Sequence, residues 1–140
     1  MRRRRGWMWG ALCAALLFWS GQAVAAQPAA TEERIRDAAL RVERAAVLLG
    51  EERAEAQLAR IFRVKPRLVS DLHDQKLDYG EVAIVLALAE AGHASPDMLL
   101  ALWATGRLSW GEIADRLKVN VSTLPKRLQA VRQELIQRTP

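Results

Sequence analysis

His73 stands between Asp71 and Asp74, residue types that could build a metal site or an acid–base pair, and His93 is the only other histidine. No second strong ligand is spaced to help His73, so the triplet reads as a solvated acidic helix end carrying one imidazole. His93 follows Gly92, where an imidazole complements the negative end of a helix dipole. The single cysteine, Cys13, lies inside an apolar run, so the chain beyond it has no disulfide, thiol nucleophile or cysteine-based metal site. Phosphate-cradling glycine loops and nucleophile motifs are missing from the sequence. The expectation is a protein without catalytic activity, cofactor or metal.

The pattern with the most chemical content occurs twice. Leu108, Ser109, Trp110, Gly111, Glu112, Ile113, Ala114 and Leu117 are matched upstream by Leu77, Asp78, Tyr79, Gly80, Glu81, Val82, Ala83 and Leu86. Ser109 and Asp78 suit an N-cap, because a side-chain oxygen there accepts a free backbone N–H of the first turn. Glu112 and Glu81, three residues on, close a capping box. Leu108 with Ile113, and Leu77 with Val82, have the spacing of a hydrophobic staple. One reading makes Tyr79, Gly80, Glu81 and Trp110, Gly111, Glu112 a paired aromatic and carboxylate ligand surface. The other makes them caps and core, with glycine at the second helical position letting another backbone approach, and it accounts for every residue type present.

These modules imply a scaffold of helices. Pro66, Leu68 and Leu72 recur as Pro96, Met98 and Leu102, which extends the match to a duplicated unit over residues 66–91 and 96–121. Gln27 to Ala30 reads as a flexible leader, and Thr31, Glu32 and Glu33 as a helix start. Ile35, Ala38, Ala39, Val42, Ala45, Ala46 and Leu49 then form one apolar stripe, interrupted near Gly50. Helices are predicted over Glu51–Val64 and Pro66–Leu72, over Tyr79–Ala91 ended by Gly92, over Met98–Ala104, Trp110–Leu117 and Ser122–Arg138. The Val82 to Ala89 run is apolar all round and predicts a central buried helix. The fold class is all-α: a small orthogonal helical bundle with duplicated helix-turn-helix-like units over residues 51–140, preceded by an amphipathic helix within residues 27–50.

Charge is unevenly placed. The chain carries a net charge of +5, and Arg2 to Arg5 supply four of those charges. After them come an apolar stretch from Trp7 to Trp19 and the small residues Val24, Ala25 and Ala26, the order of a secretory signal peptide over residues 1–26. Periplasmic or secreted localisation is expected; the alternative is an inner-membrane anchor over residues 7–26 with the domain in the periplasm. Residues 27–115 hold eleven basic and fifteen acidic side chains, and residues 116–140 hold six and one. The C-terminal helix is thus a cationic end suited to an anionic partner.

From Glu112 to Leu128 the sequence resembles a helix-turn-helix DNA-binding unit of the sigma-factor and response-regulator type. Ile113, Ala114, Leu117, Val119 and Leu124 take that family's core positions, and Leu58, Ala59, Phe62, Val64 and Val69 form an upstream echo. The resemblance implies Asn120, Val121, Ser122 and Thr123 at base edges, with Lys126, Arg127 and Arg132 on phosphates. Pro125 falls inside the implied recognition helix, which argues for a later helix start and against DNA as the partner. Over residues 56–130 the chain also resembles small, uncharacterised exported proteins of Gram-negative bacteria that carry the aromatic, Gly, Glu, Ile or Val, Ala module twice. That resemblance implies a fold and a compartment, and no activity.

The expected function is an exported helical interaction module, an adaptor or accessory protein of the envelope with a protein partner. The alternative is a nucleic-acid binder using the basic C-terminal helix. Tyr79, Trp110, Lys126, Arg127 and Arg132 are the candidate interaction residues.

Overall fold

The computed structural model describes residues 23–137, with side chains from Pro28 onward. Arg2 to Arg5, the Trp7 to Trp19 stretch, Cys13 and Arg138 lie outside the described residues. Seven helices follow one another among those described: α1 (Ala23–Leu49), α2 (Glu51–Phe62), α3 (Pro66–Asp74), α4 (Tyr79–Gly92), α5 (Pro96–Ala104), α6 (Trp110–Arg116) and α7 (Leu124–Gln137), with a 3₁₀ turn at Val121–Thr123 before α7. No strand occurs among them. The fold is an all-α small helical bundle.

Several boundaries differ from the sequence reading: α2 ends at Phe62 rather than Val64, α3 runs on to Asp74, α5 begins at Pro96, α1 begins before Thr31, and α7 begins after Ser122. Gln27 to Ala30, expected as a leader, are helical, because alanines on both sides carry the helix through Pro28, which removes only one backbone hydrogen bond. α7 starts at Leu124 rather than Ser122. Asn120 Oδ1 accepts the Ser122 N–H at 3.1 Å and holds the preceding residues in a tighter turn. Pro125 then sits in the first turn of α7, where its missing N–H has no helical partner to lose.

α4 is the axis of the bundle. Its Val82 to Leu88 run is buried on every side, and α4 touches each of the other six helices. α1 lies across α4, α6 and α7, and Ile35, Ala39, Val42 and Ala46 of its stripe enter the same core. The amphipathic helix therefore docks on its own domain, which removes its apolar stripe from the surface.

Both helix starts are built as capping boxes. Asp78 Oδ1 accepts the Glu81 N–H at 2.7 Å and Glu81 Oε2 accepts the Asp78 N–H at 3.1 Å. In the second copy Ser109 Oγ accepts the Glu112 N–H at 3.2 Å and Glu112 Oε2 accepts the Ser109 N–H at 2.7 Å. Their surroundings set the two glutamates apart. Burial pushes the Glu81 carboxyl above its ordinary range, whereas the Ser109 backbone and hydroxyl hydrogen bonds hold the Glu112 carboxyl below it. A lowered carboxyl contributes stability above its unfolded value that is lost as pH falls through the folded one. A raised carboxyl contributes only at lower pH and loses that contribution as pH rises. Carboxyl-carbon NMR titration should therefore give Glu81 the higher midpoint and Glu112 the lower, on either side of 4.5. Coincident or reversed midpoints would contradict this assignment.

A further internal likeness emerges in the turns that leave α2, α4 and α6. Arg63, His93 and Lys118 each adopt a left-handed conformation, at φ 54, 49 and 56. The next residue then bonds back across the turn: Val64 N–H to Ala59 at 2.9 Å, Ala94 N–H to Ala89 at 3.1 Å and Val119 N–H to Ala114 at 2.9 Å. Three helix–turn–helix corners thus share one geometry. Gly92, expected to end α4 by its conformation, is its last helical residue. A side chain there would meet Leu117 Cβ at 3.1 Å, so Gly92 serves packing, and His93 is the left-handed residue.

Candidate functional site

The residues singled out for chemistry are engaged in the fold. His73 Nδ1 lies 2.9 Å from the Leu77 carbonyl, and its ring stacks on Tyr79 with centroids 4.3 Å apart. Asp71 and Asp74 are exposed, and Asp71 faces Arg67 at 3.9 Å. No group of three or more His, Cys, Asp or Glu able to hold a metal ion occurs among the described residues. Tyr79 is 5% exposed, with its hydroxyl buried and unpartnered. Burial, with Glu55, Glu51 and Glu43 nearby, pushes its phenol up to about 12, which keeps it protonated at physiological pH. A phenol so held is a poor base or nucleophile.

Trp110 is likewise 5% exposed and stacks on the half-buried Trp103 at 5.6 Å. The paired aromatics are thus core, and what lies behind them was not legible in the sequence. Glu43 Oε2, on α1, accepts the Tyr79 N–H at 2.6 Å and the Gly80 N–H at 3.4 Å. Glu32 Oε2, also on α1, accepts the Gly111 N–H at 3.1 Å. The two glutamates are separated by eleven residues, close to three helical turns, so they project from one edge of α1 toward the two helix starts. That spacing was present in the sequence, but nothing local says which N–H groups the carboxylates meet.

The three cations of α7 do not form one surface. Arg127 donates to Glu90 at 3.0 and 3.4 Å and lies over the Phe62 ring, 5.0 Å from its centroid. Lys126 is exposed, and Arg132 is half-buried against α1. At roughly 100° per residue, the three project in different directions around the helix. α7 also buries Leu124, Leu128, Val131 and Leu135. The three side chains therefore do not share one face of α7.

An open groove lies where the C-terminal halves of α1 and α7 meet. Arg41, Arg44, Ala45, Leu48 and Leu49 line it from α1, and Arg132, Leu135 and Ile136 from α7, enclosing about 630 Å³. Leu48 is 88% exposed and Ile136 49%, and on the adjoining face of α1 Val47 is 61% and Leu40 47% exposed. Helical spacing places Leu40, Arg44 and Val47 on one face, next to Arg41 and Leu48. Of the five large exposed apolar side chains among the described residues, four lie in the C-terminal halves of α1 and α7; the fifth, Met98, is on α5. Arg41 bonds Asp37 at 2.8 Å across an exposed pair, and Arg44 and Arg132 have no ion-pair partner among the described residues. A smaller hollow of about 450 Å³, lined by Leu102, Thr105, Arg107, Leu108 and Arg116, adjoins α5 and α6.

No family model, curated protein or solved structure matches the chain. The α1–α7 groove combines an apolar lining with arginines from both helices.

Proposed function

We propose that this chain is an exported helical protein-interaction module, an accessory protein of the cell envelope without catalytic activity, and that its binding face is the α1–α7 groove. The observation that carries this reading is the exposure of Leu40, Val47, Leu48 and Ile136 beside Arg44 and Arg132, which have no ion-pair partner among the described residues. Contiguous apolar surface rimmed by polar groups marks binding sites on soluble domains. Groups with chemical potential elsewhere, His73, Tyr79 and Trp110, are held in stacking and packing. Export rests on the basic, apolar and small-residue order of residues 1–26, and sequencing the mature N-terminus tests it.

The interaction itself is tested in intact cells with a photocrosslinking residue at position 48 and, as a control, at the exposed Ala101 on α5. A discrete adduct from position 48 that is absent from position 101 is the expected result. No adduct, or the same adducts from both positions, would overturn the reading.

A further inference from the structure

From the chemistry of the groove we infer that its occupant is an amphipathic helix that presents carboxylates beside apolar side chains. The inference rests on the proposed interaction role and specifies the partner. Ala45, Leu48, Leu49, Leu135 and Ile136 give the groove its apolar lining, so an inserted apolar side chain meets carbon there. Arg41 and Arg44 stand three residues apart on one wall, and Arg132 faces them from the other. Residues three or four apart on an occupying helix are neighbours on its surface, roughly 5–6 Å apart at Cβ, the same spacing at which Arg41 and Arg44 leave α1. Arg132 is half-buried without an ion-pair partner among the described residues, and a partly desolvated cation gains most from a carboxylate brought into the same site. Asp37 already shows that Arg41 takes a carboxylate, in a pair exposed enough to exchange.

The other occupants fit worse. Two copies packed groove to groove about a twofold axis would set guanidiniums against guanidiniums, since an isologous contact repeats the same surface on both sides. A flat anionic bilayer reaches Leu48 on the rim, but Arg132 lies between the helices, where only a group entering the groove reaches it.

The test uses the purified protein and a labelled 18-residue helical peptide of leucine, alanine and glutamate, with the glutamates four apart, followed by fluorescence anisotropy. Peptides with glutamine or lysine in place of glutamate, and phosphatidylglycerol vesicles, serve as comparisons. Saturable binding of the acidic peptide is expected, at least tenfold tighter than the glutamine peptide and weakened by salt. It should also be weakened at least tenfold by Arg132→Glu and by Leu48→Ser, both at positions where a folded chain, verified by circular dichroism, is expected. Equal binding of the acidic and lysine peptides, binding indifferent to Arg132→Glu, or no peptide binding overturns the inference. So does vesicle binding, or a concentration-dependent dimer in sedimentation, that depends on Arg132 in the absence of peptide binding. Should the position-48 adduct form in cells while the acidic peptide fails to bind, the interaction role stands and only the stated partner chemistry falls.

Discussion

Gly80→Ala is expected to destabilise the protein by about 2–4 kcal/mol, a fall in Tm of about 10 °C or more, while Gly111→Ala changes stability by no more than about 0.5 kcal/mol. The two glycines hold the same place in the two copies of the module, so propensity alone predicts the same response. Their surroundings differ. A Cβ on Gly80 would overlap the Ala39 carbonyl oxygen and come within 2.8 Å of its carbon. The obstacle is the backbone of α1, which cannot swing aside as a side chain would, so α1 must lift from the start of α4 and loosen the Ile35, Ala39, Val42 and Ala46 contacts. At Gly111 the nearest atom to such a Cβ is Glu32 Oε2 at 3.7 Å, an ordinary contact, and alanine's better helix propensity offsets any small adjustment. Thermal melting of both variants by circular dichroism checks the pair. Equal losses would show that α1 does not seat against Gly80 as closely as described.

That contrast shows how far the sequence reading extends. The capping boxes at Asp78 and Ser109 are local: cap, three-residue spacing and acidic reply lie within four positions, and the structure has both. The burial of α4 was equally legible, since eight consecutive apolar residues leave no polar face to expose. The close backbone approach expected of the module's glycine holds at Gly80 and not at Gly111, because it depends on which part of α1 passes overhead. The turn residues were harder still. Arg63, His93 and Lys118 occupy left-handed positions that favour glycine, and no rule of composition selects arginine or lysine there. The same applies to the basic C-terminal segment: counted along the chain it is one cationic run, but α7 directs Arg127 onto Glu90 and Phe62 and Arg132 toward α1. The groove that results joins residues about ninety positions apart, which no periodicity in either helix could announce.

Glu43→Ala is expected to cost about 2–3 kcal/mol, because it removes a charged acceptor from two first-turn donors at once. Asp78 satisfies the N–H of Glu81, the third residue of α4, and reaches no further; the first two, on Tyr79 and Gly80, are taken by Glu43 from α1. A helix start normally leaves such donors to water, but Tyr79 and Gly80 are buried, so their N–H groups would lose their partner in a site poorly able to supply another. Glu43→Gln keeps an acceptor oxygen without the charge and should lose roughly half as much. Glu32→Ala, which frees only the Gly111 N–H, should cost less than Glu43→Ala. Amide hydrogen exchange localises the effect: protection at Tyr79 and Gly80 should fall in Glu43→Ala, and protection at Gly111 in Glu32→Ala, with neither variant reproducing the other's pattern. The Glu81 carboxyl gives a second readout. Glu43 helps raise the Glu81 carboxyl, so its removal should shift the Glu81 titration midpoint downward. A Glu43→Ala protein with unchanged exchange at Tyr79 and Gly80 and an unmoved Glu81 midpoint would mean that α1 does not hold the start of α4 through this carboxylate.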